Sequence, residues 1–272
     1  MSTGQTPQQT AWEDDGAGYL IAVSDLMAGL LFIFIITLMA FVLNFQQKSK
    51  QAEIERQELL REQKRYSLIV DDLTNIGHVR DSLLEDIGSK LRQLGVQVET
   101  DLEHGIVHLT EQAINFPSGQ AILPEEELAK LAKVGDVLVD TLPCYTADPP
   151  AYLNCSPEHA GKLESVFIEG HTDNVPLRDG SRKFQDNWDL SAQRAIFAYR
   201  SMVIGEQPLL GQLTNTAGFP IFSVSGYGEG RPRNRYEAPT ADAANRRIDL
   251  RFIMTPPSDK NIPMLEKLEG AL

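Results

Sequence analysis

The 272-residue chain is predicted to hold one N-terminal transmembrane helix, a charged helical linker and an α+β domain whose mixed sheet carries helices on one face. Three observations predict this plan. Leu26 to Leu43 reads LMAGLLFIFIITLMAFVL, with only Gly29 and Thr37 not strongly apolar. At Gln46 the composition switches to Gln, Glu, Lys and Arg. From about Gly95, short apolar or alternating runs interleave with amphipathic stretches, the signature of strands and helices sharing one core.

Residues 1–18 are polar and acidic and are expected to form a short flexible tail. With its flanks, the apolar run covers 19–45, about 27 residues and about 40 Å of helix at 1.5 Å per residue. A hydrocarbon core is about 30 Å thick, so the run spans it with room for tilt. It is too long for a signal-peptide core and lacks a basic leader and a small-residue cleavage site, so it is read as a retained anchor. A buried helix of a soluble core rarely runs this far without a polar face.

Residues 46–93 form the linker. Within it Ile69, Leu73, Ile76, Leu83, Ile87, Leu91 and the following Leu94 recur at near-helical spacing, a narrow stripe suited to self-association or to docking on a neighbour. Gly77 and Gly88 weigh against one unbroken rod.

The compact domain is placed at 94–255. VQVET and GIVHLT, on either side of Asp101 to His104, predict a β-hairpin. After Pro124, EEELAKLAKVGDVLVDTL is an amphipathic helix with acids in its first turn, as the helix dipole favours. Residues 143–163 are a Pro-rich loop holding both cysteines, Cys144 and Cys155. SVFIEG is a buried strand, NWDLSAQRAIFAYRSMVI a second amphipathic helix starting near Asp189 or Ser191, and FSVSGYG and RRIDLRFIM two further strands. Counting the hairpin once, the order is β, α, β, α, β, β. Residues 256–272 are assigned to a tail.

Charge excludes one class of partner. With 25 basic and 38 acidic residues the net charge is −13, and a direct nucleic-acid binder needs a basic face. An enzyme is also disfavoured, because no Gly-rich phosphate loop and no GxSxG elbow occurs. His104 and His108 stand four apart in the expected hairpin with no third ligand in view, so no metal and no cofactor is expected. His171 is read as shaping its turn.

Asp25 is the only charged residue between Asp15 and Lys48. A charged Asp at membrane depth costs about 3 kcal/mol on insertion scales, and such groups face a protein interior or a water-filled path. A place among the headgroups is the alternative, but six apolar or small residues, Gly18 to Val23, precede it. One helix cannot shield the group, so Asp25 implies partner helices. The flanks pull in opposite directions on topology. Residues 1–47 hold no Lys or Arg, whereas Lys48, Lys50, Arg56 and Arg61 follow the span, which on the positive-inside rule places the C-terminal part in the cytoplasm. The two cysteines, 11 residues apart, suit a disulfide in an oxidising compartment, or are two separate free thiols.

The most distinctive local sequence is VFIEGHTDNVPL, followed by NWDLSAQRA, SVSGYGEGRP and NRRIDLRF. A strand ending at Glu169 and a helix carrying Arg194 on its second turn can present Asp173 and Arg194 to one ligand. Such a pair suits a zwitterion, the carboxylate taking an ammonium and the guanidinium forking a carboxylate; a plain Asp–Arg salt bridge is the competing reading.

GHTDN, LSAQRA, GYGE and NRRIDL, in that order over roughly 95–255, resemble the OmpA-like peptidoglycan-binding domain. The resemblance implies that Asp173 and Arg194 hold the diaminopimelate of a stem peptide, that Thr172, Asn187 and Leu190 line the pocket, and that Arg246 lies beside it. The insertion around Cys144–Cys155 departs from the simplest members. A single span with one aspartate, a linker and an OmpA-like domain also resembles the B subunits of flagellar-type stators, and SDLMAGLLFIFIITLMAF is similar to those of the Zorya anti-phage system. What this implies is an ion-driven inner-membrane motor subunit. It would be a homodimer inside a ring of A subunits, with Asp25 carrying the translocated proton and the domain bound to peptidoglycan. The resemblance places the N-terminus in the cytoplasm and the domain in the periplasm, overriding the charge count. A motility stator and a passive envelope tether are the alternatives.

Overall fold

The computed structural model describes residues 14–177 and 183–257; the first 13 residues of the expected N-terminal tail and residues 258–272 of the expected C-terminal tail lie outside them. The chain divides into two compact units, Met1–Ser67 and Leu68–Leu272.

The described residues of the first unit are helix. α1 (Asp14–Gln93) starts in it and ends in the second unit. Among the described residues one helix is long and apolar enough to cross a membrane. Apolar side chains from Tyr19 to Phe45 are exposed all round it, the arrangement lipid favours and water does not. The hydroxyl of Thr37 donates to the carbonyls of Ile33 and Phe34 at 3.0 and 2.9 Å, so this polar group is satisfied within the helix without water. Asp25 is exposed and is flanked by Ala22, Ala28 and Gly29, which share its face at helical spacing.

The second unit begins at Leu68, so the last turns of α1 belong to the compact domain, which the sequence reading began at 94. The apolar stripe finds its neighbour here. Leu83, Leu84, Ile87 and Leu91 are fully buried in one core with the sheet, while Leu73 and Leu94 stay exposed. α1 runs through Gly77 and Gly88 without a break. Gly88 is used for close approach, since a Cβ there would stand 2.7 Å from Thr100 Cγ2. Arg80 donates to the Leu102 carbonyl at 2.6 Å and Lys162 pairs with Asp72 at 3.1 Å.

The sheet combines β1 (Glu99–Asp101), β2 (Ile106–Leu109), β3 (Leu163–His171), β4 (Phe222–Gly226) and β5 (Arg247–Met254) in the order β1-β2-β5-β3-β4. β1 and β2 are the expected hairpin. β3 and β4 are parallel and joined through α3 (Asn187–Tyr199); β5 enters between β2 and β3, antiparallel to both. Val107, Leu109, Val166, Ile168, Ile248 and Leu250 face Leu131, Val134 and Leu138 of α2 (Glu125–Thr141) and Ala195 and Ala198 of α3 in one core. Three glutamates open α2, as the dipole favours. Asp186 caps α3 by accepting from the Asp189 N–H at 2.9 Å; Asp189 is thus a first-turn acid. After Tyr199 the helix widens into a π-helical segment, Arg200–Glu206. Cys144 and Cys155 form a disulfide across the loop before β3.

Two glycines bring α3 down onto the sheet. A Cβ at Gly170 would overlap the Ser191 carbonyl, and one at Gly226 would lie 2.5 Å from the Ala192 nitrogen. Backbone cannot yield as a flexible side chain can. Gly170→Ala is therefore expected to lower stability by about 2–3 kcal/mol, the upper range for overpacking, measured by denaturant titration; an unchanged midpoint would contradict this packing.

Candidate ligand-binding cleft

The close approach of α3 sets its first two turns beside the residues that leave β3. Between them, and opposite the segment following β2, lies a cleft of about 810 Å³. Thr172 and Asp173 come from the end of β3, Asn187, Leu190 and Arg194 from α3, and Arg246 from the residue before β5; all six line it. The structure thus brings together around one cleft the six residues for which the family resemblance implies a pocket role.

Their bonding separates them. The side-chain amide of Asn187 donates to the Asp173 and Val175 carbonyls at 3.3 and 3.1 Å, so it shapes the loop that carries Asp173. Leu190 is buried and supplies apolar wall. Thr172 donates its backbone N–H to Gly228 at 2.9 Å, but its buried hydroxyl has no hydrogen-bond partner. A buried unpaired hydroxyl costs about 1–3 kcal/mol, which a ligand in the cleft can recover.

Asp173 does not pair with Arg194. Arg246 Nη1 donates to Asp173 Oδ2 at 2.6 Å and Arg246 Nη2 to Glu111 Oε2. Burial disfavours the Arg246 charge, but these two carboxylates more than offset it and raise its pKa. Arg194, 3 % exposed, donates Nε to the Gln120 carbonyl at 2.9 Å and Nη2 to the Pro117 carbonyl at 3.2 Å, and lies over the Phe116 ring at 5.1 Å. Its pKa falls to about 10, first through burial and then through the charge of Arg246, against the opposing pull of Asp173 and Glu111. It remains charged at neutral pH. Its bonds go to neutral carbonyls, so no carboxylate cancels that charge directly. The salt-bridge reading of Asp173 and Arg194 is thus replaced: the carboxylate is partnered by Arg246, and the Arg194 guanidinium is held by backbone.

Sequence reasoning missed Glu111 and the segment Asn115–Gly119. The available signal was EQAINFPSG directly after β2, a run rich in turn formers where a short linker to α2 would have sufficed.

Behind the cleft, on the sheet face away from α2 and α3, β3 and β5 share a buried polar cluster. Asp249 Oδ1 lies 2.7 Å from His108 Nδ1, both its oxygens accept from Arg247 Nε at 3.0 Å, and Oδ2 stands 3.1 Å from His171 Nε2. The His171 ring is off the hydrogen-bond line and stacks on Tyr227 at 5.5 Å. Glu169 is forked by Arg251, both bonds 2.9 Å. Glu169, His171 and Asp249 are close enough to hold a metal ion, but the two arginines already occupy their carboxylates. His171 and Arg247 pair at the last rung of β3 and β5, immediately before Thr172 and after Arg246, so the cluster holds both strand ends at the cleft.

Residues 152–246, from the loop before β3 to the residue before β5, match the OmpA family, and the sheet with a polar cleft at its strand ends resembles an OmpA-like domain. The chain has homology to MotB proteins. It is 26% identical over 181 residues to Motility protein B of Bacillus subtilis, covering 66% of this chain and 56% of that one, so the match spans little more than half of that relative. Among solved structures, a putative MotB-like protein from Desulfovibrio vulgaris matches at a TM-score of 0.44 with 18% identity over 70% of this chain and 98% of its own. The periplasmic domain of Helicobacter pylori MotB matches at 0.40 with 14% identity over 64% of this chain and 90% of its own.

Proposed function

We propose that the chain is the B subunit of an ion-driven inner-membrane stator that works in anti-phage defence of the Zorya type. Two copies stand inside a ring of A subunits. The N-terminus is cytoplasmic, the helix over 19–45 crosses the membrane once, and the OmpA-like domain binds peptidoglycan from the periplasm. Asp25 carries the translocated proton. The Cys144–Cys155 disulfide supports an oxidising compartment for the domain, and the similarity to Motility protein B of Bacillus subtilis supports a motor-type subunit. The subunit has an anchoring and ion-carrying role with no catalytic one.

The observation that carries the wall-binding reading is the cleft's polar set. Asp173, with Arg246 and Glu111 at its side, is the acidic wall; Arg194 is a buried cation without a carboxylate of its own; and the Thr172 hydroxyl is unpaired. A diaminopimelate side chain ends in an ammonium and a carboxylate on one carbon and matches this set. Asp173→Ala in the full-length chain is expected to weaken co-sedimentation with purified sacculi about tenfold or more, the scale of a charged hydrogen bond. Unchanged sedimentation with the fold intact would remove the assignment. A helicase-like gene beside an A-type membrane gene would support defence, and flagellar neighbours would support motility.

A further inference from the structure

We infer that Glu111 makes the cleft select a zwitterionic group, an ammonium beside a carboxylate, over a plain carboxylate. The inference rests on the wall-binding reading and deepens it. Among the described residues four charged side chains line the cleft: Glu111, Asp173, Arg194 and Arg246. Their formal charges sum to zero, but they are not paired two and two. The Arg246 fork spans both carboxylates, Nη1 on Asp173 at 2.6 Å and Nη2 on Glu111, whereas Arg194 is held by the carbonyls of Pro117 and Gln120.

The cleft therefore has a triad of net charge −1, Glu111–Arg246–Asp173, and a cation, Arg194. Without Glu111, Arg246 would neutralise Asp173, and the cleft as a whole would carry +1. Such a site attracts a carboxylate and gives an ammonium no net advantage. With Glu111 present, the fork leaves one negative charge on the acidic wall to hold the ammonium while Arg194 takes the carboxylate. Side-chain exposures of 24% for Glu111, 26% for Arg246 and 12% for Asp173 let water screen the triad, so the selectivity is moderate. A unit charge about 4 Å away near a protein surface has ample Coulomb energy for a tenfold preference. The fork also fixes geometry, because a planar guanidinium on two carboxylates cannot turn without breaking a charge-assisted bond.

The test measures affinities of the full-length chain in nanodiscs for two synthetic tripeptides. One ends in diaminopimelate; in the other a hydrogen replaces its side-chain amine, leaving the carboxylate. The native chain is expected to prefer the first about tenfold. Glu111→Gln, close to isosteric, should bring the ratio near one chiefly by losing affinity for the first, and Glu111→Asp should keep most of the preference. Glu111→Ser gives the same neutral comparison if the Gln chain does not fold. A folded neutral variant with the native ratio overturns the role of Glu111. Failure of both peptides to bind the native chain overturns the wall-binding reading and the inference with it. So does an Asp173→Ala chain that binds the diaminopimelate peptide with native affinity.

Discussion

Replacing Asp249 with alanine is expected to cost the domain about 3–5 kcal/mol, the range for removing one partner of a buried ion pair. For a unit of this size that lowers the melting temperature by roughly 10 °C. Asp249 is 1% exposed and is the shared acceptor for His108 and Arg247, with His171 beside it. Without it the Arg247 charge stays buried at the end of β5, where its Nη1 already lacks a partner. Asn should cost less than Ala, because one oxygen still accepts. The same cluster makes stability depend on pH. Burial alone would raise the Asp249 pKa; His108, His171 and the Arg247 charge outweigh it and hold the carboxyl well below the usual range. An unfolded Asp takes up its proton near pH 4, so the unfolded chain binds more protons, and the stabilisation present at neutral pH is lost as pH falls. Burial also lowers the pKa of His171, and a base kept neutral on folding loses stability in the same direction, starting below about pH 6.5. Denaturant titrations of the native chain and Asp249→Asn at pH 7 and pH 4 check this. The native chain should lose more on acidification, and equal losses would contradict the cluster's role.

Because the Asp249 cluster clamps the strand ends from which Thr172, Asp173 and Arg246 emerge, the cleft depends on residues that never touch it. That dependence marks what the sequence could show. Local features were legible: the alternating hairpin, the helix after Pro124, the amphipathic α3, and the motif residues of the cleft. The first three are written in runs of a few residues whose periodicity or capping chemistry is local, whereas the cleft residues were legible through the resemblance of GHTDN, LSAQRA and NRRIDL to a known family. The insertion of β5 between β2 and β3 is not local, and it alone brings Arg246 to Glu111, 135 positions earlier, and Asp249 to His108. Glu111 was invisible for that reason, and so was the true partner of Asp173. The stripe from Ile76 to Leu91 was visible as a docking surface, but periodicity does not say what it docks on; the core of the same domain turned out to be its neighbour. Asp186 was overlooked as a cap because Asp189, three residues on, carries the same chemistry in the first turn.

The largest functional effect is expected at Asp25. Asp25→Asn should abolish ion-driven activity while leaving membrane insertion and sacculus binding at native levels. The side chain stands in the apolar stretch of α1 among Ala22, Ala28 and Gly29, small neighbours that let another helix approach closely. Keeping a carboxylate charged at such depth costs about 3 kcal/mol on insertion scales, and protonation removes most of that cost. On the proposed reading a carboxylate has a charged and a neutral form, and each change of charge favours a different arrangement of the helices around it. Asn keeps the shape and a hydrogen-bonding tip but has one charge state, so no cycle is left to drive. Insertion should not suffer, because a neutral amide is less costly in lipid than a carboxylate. Binding to the wall should not change, because the cleft is built entirely from residues of the second unit. The measurement pairs phage plating on cells carrying the complete system with proton flux in vesicles and sacculus co-sedimentation of the same protein. Lost protection and flux with native co-sedimentation is the expected outcome. Native protection and flux would leave the chain a passive tether, since a tether needs the anchor and the cleft but gives Asp25 nothing to do.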